Sequence, residues 1–407
     1  MVLQYNIGLL HLEDFKMKVW KQLFFVALIM TLAVTGLFAS GESENTIKIG
    51  FNIPLTGDSP KVGEGSKYAA ELVKNRINEA GGLEVGGEKY MLEFIYEDNG
   101  FKPDTAVTAA YKLIEQDNVL AIVGPDGSSQ AIPAGGVAEE NGTPLISPWS
   151  TNPNTTLDRP YVFRACFLDP FQAPVAVKFA EEQFNKDKVA VLYNLESDYS
   201  KTLAELFKGA WEKANGPGSV VAFESFGQKD QDFSVQLTKI IASGAEMLYL
   251  PVYYNFVGLI VPQALELGWD QVVFGSDAWG SADLVKLSNG AVKGDYFTTH
   301  YAAAGAKGET KEFIDAYEAA YGYTPDDVGA LTYDALNIVL TAIQNAGLTG
   351  DLEADRTAIK DAIAGLKNYK GITGTMTFTP DGDPIKDAVV VQVNDAGEFE
   401  FVKTLSP

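Results

Sequence analysis

Thr46-Ile47-Lys48-Ile49-Gly50-Phe51-Asn52-Ile53 reads as a β-strand, because Ile47, Ile49, Phe51 and Ile53 alternate with the residues between them. A loop rich in Pro, Gly and Ser follows. Ala69, Val73, Ile77 and Ala80 then recur at helical spacing, and Gly81-Gly82 supplies the stop signal. Strand, loop, helix is the unit from which the rest of the chain is built.

The same alternation continues downstream. Strand-like runs at Tyr90–Tyr96, Val119–Val123 and Pro144–Ile146 are separated by helical runs that begin near Asp104 and Ser129, with Asn141-Gly142 closing the second. A further series places strands at Val189–Tyr193, Val220–Phe223, Met247–Pro251 and Val272–Gly275, with helices at Leu203–Lys213 and Val235–Ile241 between them. Apolar runs such as Val189-Ala190-Val191-Leu192 between helices indicate parallel strands covered on both faces. The predicted fold class is therefore α/β, with two sheets in series. A length of 407 residues agrees, since single cores stop growing at about 250–300 residues.

Composition narrows the partners. The chain is 46% hydrophobic and 21% charged, as expected of a globular protein. Its 54 acids against 31 bases give a net charge of −23, which argues against nucleic acid, since phosphate neutralisation requires clustered Lys and Arg. Nucleic acid is therefore not expected as a partner, and anionic lipid is disfavoured. A small solute fits better.

Residues 1–41 have the layout of a secretory signal peptide. Lys18 and Lys21 precede the apolar run Leu23–Leu37, and Ala39-Ser40-Gly41 supplies small residues for cleavage. Met17 is a possible true start. The run is shorter than the roughly 20 residues that span a bilayer. Cys166 is the single cysteine, so no intramolecular disulfide is possible and no lipid-anchoring cysteine stands at the cleavage region. The mature protein is expected outside the cytoplasm.

Ligands of open α/β sheets bind beyond the carboxyl ends of the strands. Four loops stand there. After Val123 come Gly124-Pro125-Asp126-Gly127-Ser128-Ser129-Gln130 and a helix, so Ser128 and Ser129 either cap that helix or join its free N–H groups in an anion site. After Ile146 come Ser147-Pro148-Trp149-Ser150-Thr151-Asn152-Pro153, a rigid turn from which carbonyls and Thr151 point outward. In the second series, Tyr253 follows one strand and Asp277 the next. Asp277 either caps a short helix or meets a ligand cation. An anion site opposite a cation site suits a zwitterion.

At these loops the chain resembles the periplasmic binding proteins of the leucine/isoleucine/valine type, which feed ABC importers. The resemblance runs from about Ile47 to the C-terminus. It rests on Gly57, Glu97-Asp98-Asn99 with Pro103, Gly124 with Ser128-Ser129, Ser147-Pro148 with Thr151-Asn152-Pro153, Asp232-Phe233-Ser234, Tyr333-Asp334-Ala335, and Gly371 with Gly374, Phe378 and Gly382-Asp383. It implies a type I periplasmic-binding fold, two Rossmann-like lobes with parallel sheets joined by a hinge of three crossings. Lobe 1 would hold 46–168 and 299–372, and lobe 2 would hold 169–298 and 373–407.

By the same resemblance, Ser128, Ser129, Trp149, Ser150, Thr151, Tyr199, Tyr253 and Asp277 would line the ligand site. Ser128 and Thr151 would receive a carboxylate, and the Trp149 carbonyl with Asp277 an ammonium. The implied protein is a soluble monomeric shuttle that closes on a branched-chain or other apolar α-amino acid and delivers it to permease subunits. Three positions depart from the family pattern. Asp277 stands where glutamate is common, Trp149 replaces a small residue, and Ser59-Pro60-Lys61-Val62 lacks an aromatic found in some relatives. An amide, urea or small aromatic acid is the alternative ligand, and a ligand-sensing ectodomain the alternative protein.

An enzyme is disfavoured. His11 and His300 are the two histidines, too few for Ser-His or Cys-His catalysis or a histidine metal site, and no dinucleotide or Walker motif follows a strand. No cofactor or metal is implied. Asp381-Gly382-Asp383 reads as a hairpin turn rather than a calcium loop.

Overall fold

The opening strand becomes the centre of a sheet. In the computed structural model, which describes residues 45–406, β1 (Thr46–Ile53) lies between β3 (Glu88–Asp98) and β4 (Ala121–Val123) and is parallel to both. Helix α1 (Pro60–Glu79) and the short β2 (Leu83–Val85) connect β1 to β3. The sheet continues through β5 (Leu145–Ser147) and β6 (Val162–Arg164), in the order β2-β3-β1-β4-β5-β6, and β2 alone runs antiparallel to its neighbour. Helices α2 (Pro103–Tyr111) and α3 (Ser128–Glu140) follow β3 and β4.

The alternation in β1 understates its burial. Ile47, Ile49, Phe51 and Ile53 are fully buried as expected, but Gly50 and Asn52 on the other face are buried too. Helix α2 and the π-helical turn Lys112–Gln116 that continues it cover that face: Asn52 Nδ2 donates to the Ala106 carbonyl at 2.8 Å, and a Cβ on Gly50 would press on Leu113 at 3.0 Å.

A second series builds a second sheet. Helix α4 (Asp169–Phe184) leads to β7 (Val189–Asn194), α5 (Asp198–Asn215), β8 (Val220–Phe226), α6 (Ser234–Ala242), β9 (Met247–Leu250), α7 (Tyr254–Glu266), β10 (Val273–Gly275), α8 (Leu284–Leu287) and β11 (Tyr296–Thr299). These strands pair in parallel. The chain then returns to the first half. Helix α9 (Gly308–Tyr321) precedes α10 (Asp327–Ala346), which packs on α1 with Thr332 Oγ1 donating to Ser66 Oγ at 3.0 Å. After α11 (Leu352–Ala364), a small antiparallel sheet forms from β12 (Tyr369–Gly371), β13 (Gly374–Phe378) and β14 (Pro384–Ile385). Strand β15 (Ala388–Val393), antiparallel to β11, and β16 (Phe399–Leu405), antiparallel to β15, then complete the second sheet, in the order β16-β15-β11-β10-β9-β7-β8.

Local sequence missed the short β6, whose three residues carry no pattern, and the return of α9–α11. Both are decided by partners distant in sequence. Among the described residues the chain passes between the halves three times, after β6, after β11 and through the small sheet. The described residues from Thr46 onward nonetheless form one compact unit. The expected signal peptide at 1–41, with Met17, lies outside the described residues. No helix among the described residues is long and apolar enough to cross a membrane.

The third passage is latched by buried charge. Arg164 donates from Nε to Asp383 Oδ1 at 2.6 Å, from Nη1 to the Ser150 carbonyl at 2.6 Å and from Nη2 to Thr156 Oγ1 at 2.7 Å. Asp383 therefore belongs to a hairpin turn that clips onto β6, with Gly382 in the left-handed region at φ 78°. Asp334 accepts from the Ile372 and Thr373 N–H groups, and Lys386 Nζ donates to Thr373 Oγ1 at 2.6 Å and to the Ala165 carbonyl at 3.2 Å. Burial lowers the Lys386 amine to about 8. Removing one partner from such a set leaves the others desolvated and unpaired. Arg164→Ala is expected to lower stability by about 3–5 kcal/mol, read as a reduced urea midpoint with an unchanged slope.

Candidate functional site

Each sheet has one place where neighbouring connections leave in opposite directions. In the first it lies at β1 and β4, and in the second at β7 and β9. Loops at the carboxyl ends of those strands and their neighbours form the natural crevice. They meet here across the two halves.

On the first half, Gly124 turns the chain at φ 100° directly against β1, where a Cβ would lie 2.4 Å from the Asn52 carbonyl oxygen. Only glycine fits that approach. It delivers the chain to α3, whose N-cap is Gly127 with no side-chain cap. Neither Ser128 nor Ser129 caps the helix. Ser128 Oγ instead accepts from Ser150 Oγ at 3.0 Å, and Ser150 Oγ lies 2.6 Å from Thr155 Oγ1. Ser150 is a brace: its carbonyl also accepts from Arg164 and from the Cys166 thiol. Thr151 Oγ1 is buried without a hydrogen-bond partner.

On the second half, Asp277 opens a short 3₁₀ turn whose N-cap position is Ser276, with no side-chain cap, so Asp277 is not the cap. It is 1% exposed and surrounded by donors. Tyr199 Oη donates to Asp277 Oδ1 at 2.6 Å and Gln172 Nε2 to the same oxygen at 2.7 Å, while His300 Nε2 lies 3.4 Å from Oδ2. Tyr199 is therefore turned inward to the acid, not outward over the surface. Burial lowers His300 to about 4, so the imidazole is neutral at pH 7 and makes no ion pair with Asp277.

An aromatic group joins the two halves. The Tyr253 ring lies 5.6 Å from Trp149, 5.2 Å from Tyr199 and 5.0 Å from Phe101, the last edge-on. Phe101, from the loop after β3, is a ring of the first half that the sequence reading did not include. The Tyr253 hydroxyl lies against the Ser128 N–H. At the rim, the Asp198 N–H donates to Ser129 Oγ at 2.9 Å, and Asn152 Nδ2 donates to the Asp198 carbonyl at 3.1 Å and to Thr202 Oγ1 at 3.0 Å. Ser129 thus ties the halves together at the edge, outside the Ser128–Asp277 interior.

Of the eight expected residues, six form the interior (Ser128, Trp149, Thr151, Tyr199, Tyr253 and Asp277), Ser150 braces it and Ser129 latches its rim. Sequence reasoning missed Asp169, Gln172 and Asp327. Burial pushes the Asp169 carboxyl up to about 8, with Asp277 adding to the effect. The Trp149 indole faces the Asp327 carboxyl, yet neither Trp149 Nε1 nor Asp327 Oδ1 closes a hydrogen bond. The paired acids Asp326-Asp327 at a helix start were a legible signal. Gln172 carried none, being one polar residue inside a helix.

A family model described as periplasmic binding protein matches residues 46–398. The leucine-, isoleucine-, valine-, threonine- and alanine-binding protein of Pseudomonas aeruginosa is 30% identical over 359 residues, covering 88% of this chain and 92% of that protein. Among solved structures, a leucine-binding protein, LivK, of Thermotoga maritima superposes with a TM-score of 0.81 at 31% identity, covering 89% of this chain and 99% of the other. The branched-chain amino acid transporter substrate-binding protein LivJ of Streptococcus pneumoniae, solved with isoleucine, gives 0.80 at 31% identity, over 88% and 100%.

Buried acids make stability pH-dependent. Asp126 and Asp169 are pushed up to about 8 and Asp326 to about 7, chiefly by burial, from an ordinary value of 3.8. Between those limits the folded chain holds more protons than the unfolded one, so stability falls as pH rises. His300 acts oppositely between about 4 and its ordinary 6.5, one group against three. The ligand-free protein is therefore expected to melt at a higher temperature near about pH 5.5 than near about pH 8, with Asp169→Asn narrowing the gap. Thermal unfolding followed by circular dichroism measures both.

Proposed function

The chain belongs to the periplasmic binding protein family, and on that premise we propose that it is the extracytoplasmic solute-binding component of an ABC importer, taking a branched-chain or other apolar α-amino acid between its halves. One observation carries the reading: a loop of hydroxyls at a helix N-terminus faces a buried carboxylate across an aromatic wall. A helix N-terminus favours an anion, and a buried carboxylate favours a cation. A zwitterion with an apolar side chain answers all three surfaces. The names of the relatives agree with this choice.

In this proposal Ser128 and Thr151 receive the ligand carboxylate, which replaces the Tyr253 hydroxyl at the Ser128 N–H. The ammonium is held by the Trp149 carbonyl and Asp277, with Tyr199 and Gln172 keeping the acid in place. Phe101, Trp149 and Tyr253 enclose the side chain. Lobe 1 comprises 46–168 and 299–372 and lobe 2 comprises 169–298 and 373–407. Ser129 and Asn152 on one lobe bind Asp198 on the other only when the lobes meet, so the ligand stabilises closure by favouring that state. Residues 1–41 serve as a cleaved export signal, the mature protein works as a monomer, and the closed form docks on permease subunits. It binds its solute without transforming it.

Calorimetric titration of refolded, ligand-stripped protein against amino acids, short amides and aromatic acids tests the ligand class. An apolar amino acid is expected to bind, with Ser128→Ala weakening it about tenfold and Asp277→Ala about a hundredfold or more. Unchanged affinity in both variants for every ligand found would refute the site. Small-angle scattering is expected to show a smaller radius with ligand than without, and an equal radius at saturation would contradict closure.

A further inference from the structure

A cavity of about 660 Å³ opens at the hinge, distinct from the Ser128–Asp277 interior although Asp327 lies between the two. Phe297 and Thr299 of β11 and Val391 of β15 form its floor. Tyr301, Ile314 of α9 and the Tyr323–Asp327 approach to α10 form the facing wall. Neither Ser128, Thr151, Tyr253 nor Asp277 lines it. Its size suits a small organic molecule, for which sites run to about 300–1,000 Å³.

The wall is strongly one-signed. Glu318, Asp326, Asp327, Glu398 and Glu400 line it, and no lysine or arginine does among the described residues. Such a recess in a chain of net charge −23 concentrates cations. Clustered acids alone make no site, but two polar atoms of the wall add a separate observation. Asp327 is 3% exposed and Tyr301 8%, and both Asp327 Oδ1 and the Tyr301 hydroxyl lack a hydrogen-bond partner. Thr299 Oγ1 donates to Asp327 Oδ2 at 3.1 Å, which holds the carboxyl in one orientation. Gly280 packs so closely that a Cβ there would meet an Asp327 oxygen at 2.6 Å. Buried polar groups are ordinarily paired, and two orphans in one recess ask for a ligand that serves both.

We propose that this hinge cavity is a second binding site, for an organic ammonium ion with an apolar body, anchored by the Asp327 carboxylate and the Tyr301 hydroxyl, with its hydrocarbon on Phe297, Phe399 and Tyr323. An ammonium donates to both orphan oxygens, and aromatic faces favour its positive charge. Burial holds the Asp327 carboxyl well above the usual carboxylate range, and a bound cation offsets that cost. The walls come from strands of the second sheet and from helices packed on the first half, so an occupant acts on the hinge. Asp327 also faces Trp149 of the cleft, which gives the two sites a common residue.

The test uses the full mature chain without amino acid, so it stands whether or not the cleft binds one. Titration with 2-phenylethylammonium, followed by calorimetry, is expected to show saturable one-to-one binding, with the neutral 2-phenylethanol about tenfold weaker or worse. Tyr301→Phe and Asp327→Asn are each expected to weaken the ammonium about tenfold, and Ala303→Trp, which puts an indole on the cavity lining, to abolish binding. Asp277→Ala, which removes a like charge that acts on Asp327, is expected not to weaken it. No saturable binding in the millimolar range, equal binding of the alcohol, or binding that survives Ala303→Trp but is lost in Asp277→Ala would overturn the proposal.

Discussion

A carboxylate removed from water has to be surrounded by donors, and Asp277 is the acid on which this molecule converges. Its donors arrive from separate parts of the chain: Tyr199 from the first turn of α5, Gln172 from α4, and the edge of His300 from the passage after β11. Ser276 Oγ shares the Tyr199 hydroxyl at 2.7 Å. Those elements can meet at one point only because β7, β9 and β10 run parallel and end together. The parallel sheet and the solvated-by-protein acid require one another.

The cleft around that acid is short of positive charge. Asp169 and Asp327 are buried nearby, His300 is neutral, and burial dominates the shift of each. The opposing wall is instead rich in hydroxyls, with Thr151 Oγ1 unpartnered. Such asymmetry gives the proposed amino acid one orientation: carboxylate to α3, ammonium to Asp277. The aromatic group formed by Phe101, Trp149, Tyr199 and Tyr253 then sets the volume left for a side chain, so selectivity depends on rings contributed by both halves.

The hinge answers a different physical demand. Three passages joining two sheets would be loose if each were a bare loop, but Arg164 ties Asp383, Ser150 and Thr156 into one set and so connects the third passage to the threonine loop of the cleft. Asp334 and Lys386 pin its other end. The small sheet β12–β14 exists to carry these contacts. On the far side of the same hinge lies the acidic recess with Asp327 at its edge, where the return of α9 and α10 leaves space beside β11.

Strand, helix and their order were legible in the sequence because periodicity is local: Ile47 to Ile53 announce a strand, and Ala69 to Ala80 a helix, through near neighbours alone. The loops after those strands were legible too, since Gly124, Pro125 and the paired serines have backbone demands that any context would respect. Tertiary structure alone decided what each loop residue does. Ser129 goes to the rim and Ser150 to a brace because of where Asp198 and Arg164 arrive, and Tyr199 turns inward because a buried acid needs its hydroxyl. Gln172, Asp169 and β6 gave no signal, because their roles are set by partners far away in sequence. Hydrogen bonds and burial act through space, and that is why the sequence determined which elements form while only their packing decided which atoms face the cleft.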